Sequence, residues 1–244
     1  MDSAVYTRMA DVEPRHWWFR VRRDIVLESM NKLIPQGSRI LDMGCGTGFL
    51  TQGLGRFGRV LGCDSSTEAL DFCRTHSDCD VLLTDEFFSR NDLHGSFDVI
   101  CLFDVIEHID DDRALLKNLV PYLKPNGRFV LTVPAFNIFW GHHDVVSQHK
   151  RRYHAAAVHD VLGDIGFAPI KNTYFNLLLS PLVFFSRLLE RFTRKMPADG
   201  DLELPPRWIN DLLLRVFSIE TRLIKWFSLP FGVSYLGIYE RPKR

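Results

Sequence analysis

What this sequence lacks narrows the field before any motif is read. Thirty Lys and Arg are balanced by thirty Asp and Glu, so the basic excess of a dedicated nucleic-acid binder is missing. DNA is therefore not expected as a partner, and RNA is disfavoured. The five cysteines, at 45, 63, 73, 79 and 101, include no Cys-x-x-Cys pair and are too sparse for a disulfide scaffold. They read as reduced thiols of a cytoplasmic protein. No apolar run reaches the ~18–20 residues that a membrane-spanning helix needs. Met1-Asp2-Ser3-Ala4 shows neither the basic nor the apolar region of a signal peptide. These absences predict a cytoplasmic location, with peripheral contact at the inner face of the membrane left open by apolar segments near the C-terminus.

What is present suits one α/β domain over 1–244, since 46% of residues are hydrophobic and 25% charged. The chain is organised around Arg39-Ile40-Leu41-Asp42-Met43-Gly44-Cys45-Gly46-Thr47-Gly48-Phe49-Leu50. A short apolar run enters a glycine cluster, after which Phe49, Leu50 and Leu54 take up helical spacing. Strand, tight turn and helix start together aim backbone N–H groups at a ligand. A dinucleotide turn wants Gly-x-Gly-x-x-Gly, but here the third glycine arrives early, at Gly48, and Phe49 takes its place. Asp42 would also repel a pyrophosphate and suits a cationic or zwitterionic ligand instead.

Further strands are predicted at 59–64, 81–85, 96–103, 128–134, 168–174 and 234–240, with helices over 15–34, 67–76, 110–123 and 155–165. The near-continuous apolar run 96–103 suits a central parallel strand buried on both faces. Alternation of strands and helices from 39 to 134 implies right-handed crossovers. Asp64, ending the second strand, stands where a doubly wound fold sets a carboxylate on ribose hydroxyls. Its other reading is a helix cap, a job open equally to Ser65, Ser66 and Thr67.

The glycine turn, Asp64, Phe97-Asp98-Val99-Ile100, Asp104-x-x-Glu107-His108 and Leu123-Lys124-Pro125-Asn126-Gly127 occur in the order found in class I S-adenosylmethionine (SAM)-dependent methyltransferases, which the chain resembles over roughly 15–175. The resemblance implies a Rossmann-like, seven-stranded, mostly parallel sheet with helices on both faces. It also implies SAM as cofactor. On that pattern Asp42, Gly44, Cys45, Gly46 and Gly48 hold the methionine portion, Asp64 and Ser65 the ribose, and Asp85 the adenine amino group. Phe103 joins the cofactor set, and Phe87 or Phe88 flanks the adenine. Segment 15–36 acts as a lid helix, from which Arg23, with Arg22 as the other choice, holds the methionine carboxylate.

Methyl transfer needs in-line alignment and, for some acceptors, removal of a proton. Glu107 and His108 follow the fourth strand and are the general-base candidates; His143 and His149 are rivals from the loop after the fifth strand. Asp104, Glu107 and His108 share one helical turn and resemble the Glu-x-x-Glu-His Mg²⁺ site of members that methylate RNA 3′-ends or catechols. Asp104 has a shorter reach, with His142, His143 or His149 as a further ligand, and no metal site is assigned. Lys150-Arg151-Arg152 reads either as part of a substrate loop or as a solvated basic turn. The first reading resembles a bacterial subgroup with His16-Trp17-Trp18-Phe19 and His149-x-Arg151-Arg152-Tyr153.

A segment at 176–233 departs from a minimal domain. It is predicted to hold two apolar-rich helices, 178–195 and 206–228, separated by 197–206. Arg187, Arg191, Arg194 and Lys195 fringe the first, which suits a peripheral membrane contact, a homodimer interface or packing over the site. The expected reaction moves a methyl group to oxygen or nitrogen of a small or lipid-linked acceptor, such as a polyprenyl, quinone or glycolipid precursor. The alternatives are a Mg-dependent RNA or catechol O-methyltransferase and a non-catalytic SAM-binding scaffold.

Overall fold

A computed structural model of the chain describes residues 3–193 and 203–242. Seven strands form one sheet in the order β3-β2-β1-β4-β5-β7-β6. They are β1 (Ser38–Met43), β2 (Gly58–Asp64), β3 (Asp80–Leu83), β4 (Phe97–Phe103), β5 (Leu123–Pro134), β6 (Ala168–Phe175) and β7 (Ser234–Glu240). The pairs β1·β2, β1·β4, β2·β3 and β4·β5 are parallel; β7 runs antiparallel to β5 and β6. The expected architecture is therefore found. Strand order reverses between β1 and β4, and ligands of open α/β sheets bind at the carboxyl ends of such strands.

Period-two alternation divides the core between the two faces. Leu41, Met43, Ile100, Leu102, Phe129 and Leu131 pack with α6 (Asp112–Leu119) and α8 (Ala155–Gly163). Ile40, Val99, Cys101, Phe103 and Val130 pack with α2 (Trp17–Met30), α3 (Phe49–Leu54) and α10 (Arg207–Leu223). The outer helix α10 lies on α2, where Trp17 N–H donates to Asn210 Oδ1 at 3.0 Å and the Trp17 ring meets Phe217 at 5.7 Å.

Several boundaries differ from expectation for local reasons. The 15–34 helix becomes α2, capped by the His16 ring, which accepts from Trp18 N–H at 3.2 Å. A preceding helix, α1 (Ser3–Val12), was not foreseen. β3 stops at Leu83, and Thr84–Ser89 forms α5, so Asp85 sits in the first turn of a helix rather than at a strand tip. The 110–123 helix shortens to α6, capped by Asp111 and followed by a 3-10 turn at Val120–Tyr122 that begins beside Pro121. Pro125-Asn126-Gly127 bulges within β5, whose Leu123 and Arg128 pair with Phe97 and Val99.

The inserted segment forms α9 (Ser180–Thr193) and α10. Arg194, Lys195 and the side chain of Arg191, invoked for its basic fringe, lie outside the described residues. Among the described residues, no helix is long and apolar enough to cross a membrane. α4 (Thr67–His76) connects β2 to β3, α5 lies between β3 and β4, and α7 (His142–Val146) follows β5.

Candidate functional site

The glycine turn links β1 to α3, and each glycine has its own reason to be there. Gly44 and Gly48 adopt φ of +77° and +88°, and a Cβ there would lie 2.5 Å from Val105 Cγ2 and 2.9 Å from Cys73 Cα. Gly46, at φ +54°, has nothing within 4 Å of its Cβ position, so this side of the turn is open. Gly44 and Cys45 N–H groups both donate to Cys63 O, tying the turn to β2.

Asp64 braces this cradle. Its two oxygens accept from Gly46 N–H and Ser66 N–H, each at 3.0 Å. Ser66 rather than Ser65 caps α4, leaving Ser65 exposed beside Asp64. Asp42 is buried under the turn, between Gly62 and Cys101 on the neighbouring strands, with Thr51 Oγ1 donating at 2.7 Å. Burial pushes its carboxyl up to about 6, against the opposing pull of Thr51 and Arg22. A buried carboxylate with one short donor favours a cationic ligand. Cys45 and Phe103 are buried, whereas Asp85 is exposed.

The N-terminal residues add contacts that sequence reasoning missed. Glu13 accepts a hydrogen bond from Thr47 of the turn, and Tyr6 of α1 bonds Ser66; burial pushes the Tyr6 phenol up. Arg23 lies 4.4 Å over the Phe49 ring, in a cleft also lined by Glu13, Thr47 and Gln52. Arg22 is already committed, to Asp104 at 2.5 Å and Thr132 at 3.3 Å. Phe87 is fully buried against Tyr122 at 4.4 Å, so it cannot flank a ligand; Phe88 is only partly buried.

The second half of the site lies beyond β4 and β5. Asp104, at φ +57°, turns toward Arg22 and Thr132 and so leaves the predicted trio with Glu107 and His108. His149 takes its place: ligand atoms of Glu107, His108 and His149 all lie within 4.8 Å of one another. Glu107 is wholly buried with neither oxygen hydrogen-bonded, and burial followed by Asp104 raises it well above the usual carboxylate range. Burial, then the neighbouring His149, lowers His108. The His108 and His149 rings meet edge to face at 4.7 Å, and His143 adjoins His149 at 5.6 Å.

His149 is held from behind. Its Nδ1 lies 2.8 Å from Asp144 Oδ1. Asp144 is fully buried and also accepts from Arg152 Nε and Nη2 at 2.8 and 2.9 Å and from Gly141 N–H at 2.8 Å. Burial alone would raise this carboxyl, but those bonds hold it well below the usual range. The basic run therefore divides. Arg151 bonds Asp112 and the carbonyls of Ile109 and Asp110, and Arg152 clamps Asp144 and the Ala135 carbonyl. Only Lys150 fits the solvated reading, at 3.0 Å from exposed Asp110. Tyr153 hydroxyl donates to Asp112 Oδ2 at 2.5 Å, and Lys150 N–H to Glu107 O at 2.8 Å, so the loop is sewn to the turn that carries Glu107.

Past β5 stands an aromatic wall, also missed: Phe136, at φ +53°, stacks on Tyr174 and Phe231, each at 4.9 Å. The run of aromatics at 136–140 was its one sequence signal.

Comparison with known proteins identifies the family. Residues 15–172 match a family model described as a methyltransferase domain. The chain is 35% identical over 103 residues to the mitochondrial ubiquinone biosynthesis O-methyltransferase of Schizosaccharomyces pombe, covering 39% of this chain and 38% of that one. It is 33% identical over 125 residues to the ubiquinone biosynthesis O-methyltransferase of Actinobacillus pleuropneumoniae serotype 7, covering 47% and 53%. It thus spans about half or less of the length of these relatives. Among solved structures, a SAM-dependent methyltransferase from Archaeoglobus fulgidus shares the fold at TM-score 0.54 and 19% identity, covering 89% of this chain and 94% of that one. A second, from Mesorhizobium loti, does so at 0.53 and 17%, covering 87% and 95%. With a glycine turn at the switch point and the family model matched over most of its length, the chain belongs to the methyltransferase-domain family.

Proposed function

We propose that this protein transfers the methyl group of SAM to a hydroxyl oxygen of a small or lipid-linked acceptor. The observation that carries the reading is the buried, unpartnered Glu107 set with His108 and His149 just beyond β4, beside the glycine cradle. Bound SAM supplies a methyl group already activated on a sulfonium, so the chain's own residues have two tasks: to orient the acceptor and to receive its proton. The open side of Gly46 and the carboxylates of Asp42 and Asp64 would hold the cofactor, with Arg23 at the carboxylate end and Ser65 and Asp85 nearer the nucleoside. Asp144 binds His149 through Nδ1, which leaves Nε2 as the ring nitrogen available to a ligand or proton. His108, kept neutral at neutral pH by burial, is suited to take a hydroxyl proton. The aromatic wall of Phe136, Tyr174 and Phe231 suits a ring-bearing or greasy acceptor.

The same three side chains support a second reading, in which a divalent cation on Glu107, His108 and His149 polarises the acceptor oxygen. Asp144 then fills the role of the carboxylate that orients a metal-bound histidine. Segment 176–233 is the part proposed to meet the acceptor's surroundings, at a membrane surface or in a homodimer, in a cytoplasmic protein of one domain.

Titration calorimetry with S-adenosylhomocysteine tests the cofactor half: micromolar binding is expected, reduced more than tenfold by Asp64→Ala. Glu107→Gln tests the acceptor half. Catechol methylation should fall about 10²–10⁴-fold with cofactor affinity unchanged. Loss of activity with EDTA and its return with Mg²⁺ would select the cation reading. S-adenosylhomocysteine binding without methyl transfer to any acceptor would return the scaffold alternative, and absence of that binding in the wild type would overturn the methyl-transfer reading.

A further inference from the structure

The outward face of α10 carries a pattern that neither cofactor nor acceptor chemistry uses. Trp208, Leu212, Ile219 and Trp226, the last just past the helix end, are 70%, 53%, 49% and 78% exposed. Exposed Arg215 and Arg222 fall within the same stripe at helical spacing. The opposite side buries Asn210, Phe217, Glu220 and Ile224. Among the described residues neither Arg215 nor Arg222 has an acidic partner, and Arg207 and Lys225 extend the cationic edge.

The occupant follows from charge and symmetry. A second copy packed by a two-fold axis would set this stripe on itself and bring the same arginines together. A core-like protein interface would leave its centre free of unpaired cations. A row of aliphatic side chains with a tryptophan at each end and arginines between them matches a helix lying in a bilayer interface, where the tryptophans sit at headgroup level and the guanidinium groups meet anionic lipid. Among the described residues, the neighbouring helix lacks that combination. The exposed stripe there is Leu182, Phe185 and Leu189 on α9, with Leu178 just before it, and Arg187, expected in its basic fringe, is buried against Glu190 at 2.6 Å.

We infer that the outer face of α10 docks this protein on an anionic lipid bilayer. The inference rests on the proposed lipid-linked acceptor and names the surface that delivers it. α10 is fastened to α2 through Asn210, which bonds Trp17 N–H and the Arg15 carbonyl, and through Lys225 with Glu28 at 3.3 Å. From α2, Arg22 reaches Asp104 at the end of β4. One helix layer thus separates the docked face from the site, so docking sets the orientation in which a lipid-linked acceptor approaches.

Flotation of the full chain with phosphatidylcholine vesicles, with and without a quarter phosphatidylglycerol, is the test. Wild type should float with the anionic vesicles only, and less at 500 mM than at 50 mM NaCl. Each cation near the surface is worth about fivefold in partitioning, so Arg215→Glu with Arg222→Glu should lose about 25-fold or more, whereas the paired Lys variants retain binding. Trp208→Ser with Trp226→Ser should weaken binding at both salt concentrations. Unchanged S-adenosylhomocysteine affinity verifies that these variants are folded. Equal flotation with neutral vesicles, wild-type flotation of the Glu variants, or no flotation at all overturns the inference. So does a concentration-dependent dimer that the Trp variants abolish. Cofactor binding measured without lipid separates the two readings: its absence with flotation intact removes the methyl-transfer proposal and leaves the surface standing.

Discussion

The two halves of the proposed site, one for the cofactor and one for the acceptor, are built by different means. The cofactor half is local: β1, its glycine turn, α3 and the tip of β2 lie within 38–64, and its decisive contacts are backbone ones. The acceptor half is assembled from afar. Glu107 meets His149, Asp104 meets Arg22, and Phe136 meets Tyr174 and Phe231. A local half tolerates little change in backbone shape, while an assembled half depends on buried charge pairs, and each should fail in its own way.

The largest effect is expected from Asp144→Ala. It leaves Arg152 buried without its counter-ion, which should cost about 3–5 kcal/mol and release His149. Denaturant unfolding measures the loss. The comparison sharpens if the residual folded protein keeps its affinity for S-adenosylhomocysteine while acceptor methylation is gone; it breaks if cofactor binding falls in parallel.

Next comes a pH effect in the cofactor half. Burial lifts Asp42 from the usual value to about 6, so the folded state holds this proton more tightly than the unfolded chain does. The stability it contributes is complete below about pH 4 and is lost as pH rises toward 6, roughly 3 kcal/mol in all. Asp42→Asn should flatten that slope in urea midpoints taken at pH 4, 5 and 6. Parallel wild-type and variant curves would disprove the assignment.

The smallest effect separates two glycines. Gly44→Ala forces Val105 aside at a left-handed backbone position and should cost about 1–3 kcal/mol. Gly46→Ala meets nothing and should cost about 1–2 kcal/mol, from backbone strain alone. It nonetheless fills the cradle, so cofactor affinity should drop tenfold or more while the melting temperature falls by about 2–8 °C.

The amino-acid sequence by itself determined the strand–turn–helix unit, the spacing of Gly44, Gly46 and Gly48, and the buried run of β4. In each case the cause lies within a few residues: glycine frees φ, and unbroken apolar side chains need two covered faces. Of the three cap candidates at 65–67, Ser66 caps α4. What tertiary structure alone decided is which polar groups remain available. Arg151 and Arg152 look free in a basic run but are spent on Asp112 and Asp144, whereas Arg215 and Arg222, inconspicuous in an apolar helix, face outward. Asp104 holds the motif position next to Glu107 and His108, yet Arg22 draws it away and His149 enters from beyond β5. Buried charges must find counter-ions, and those counter-ions come from whichever strand end or helix the fold brings within reach.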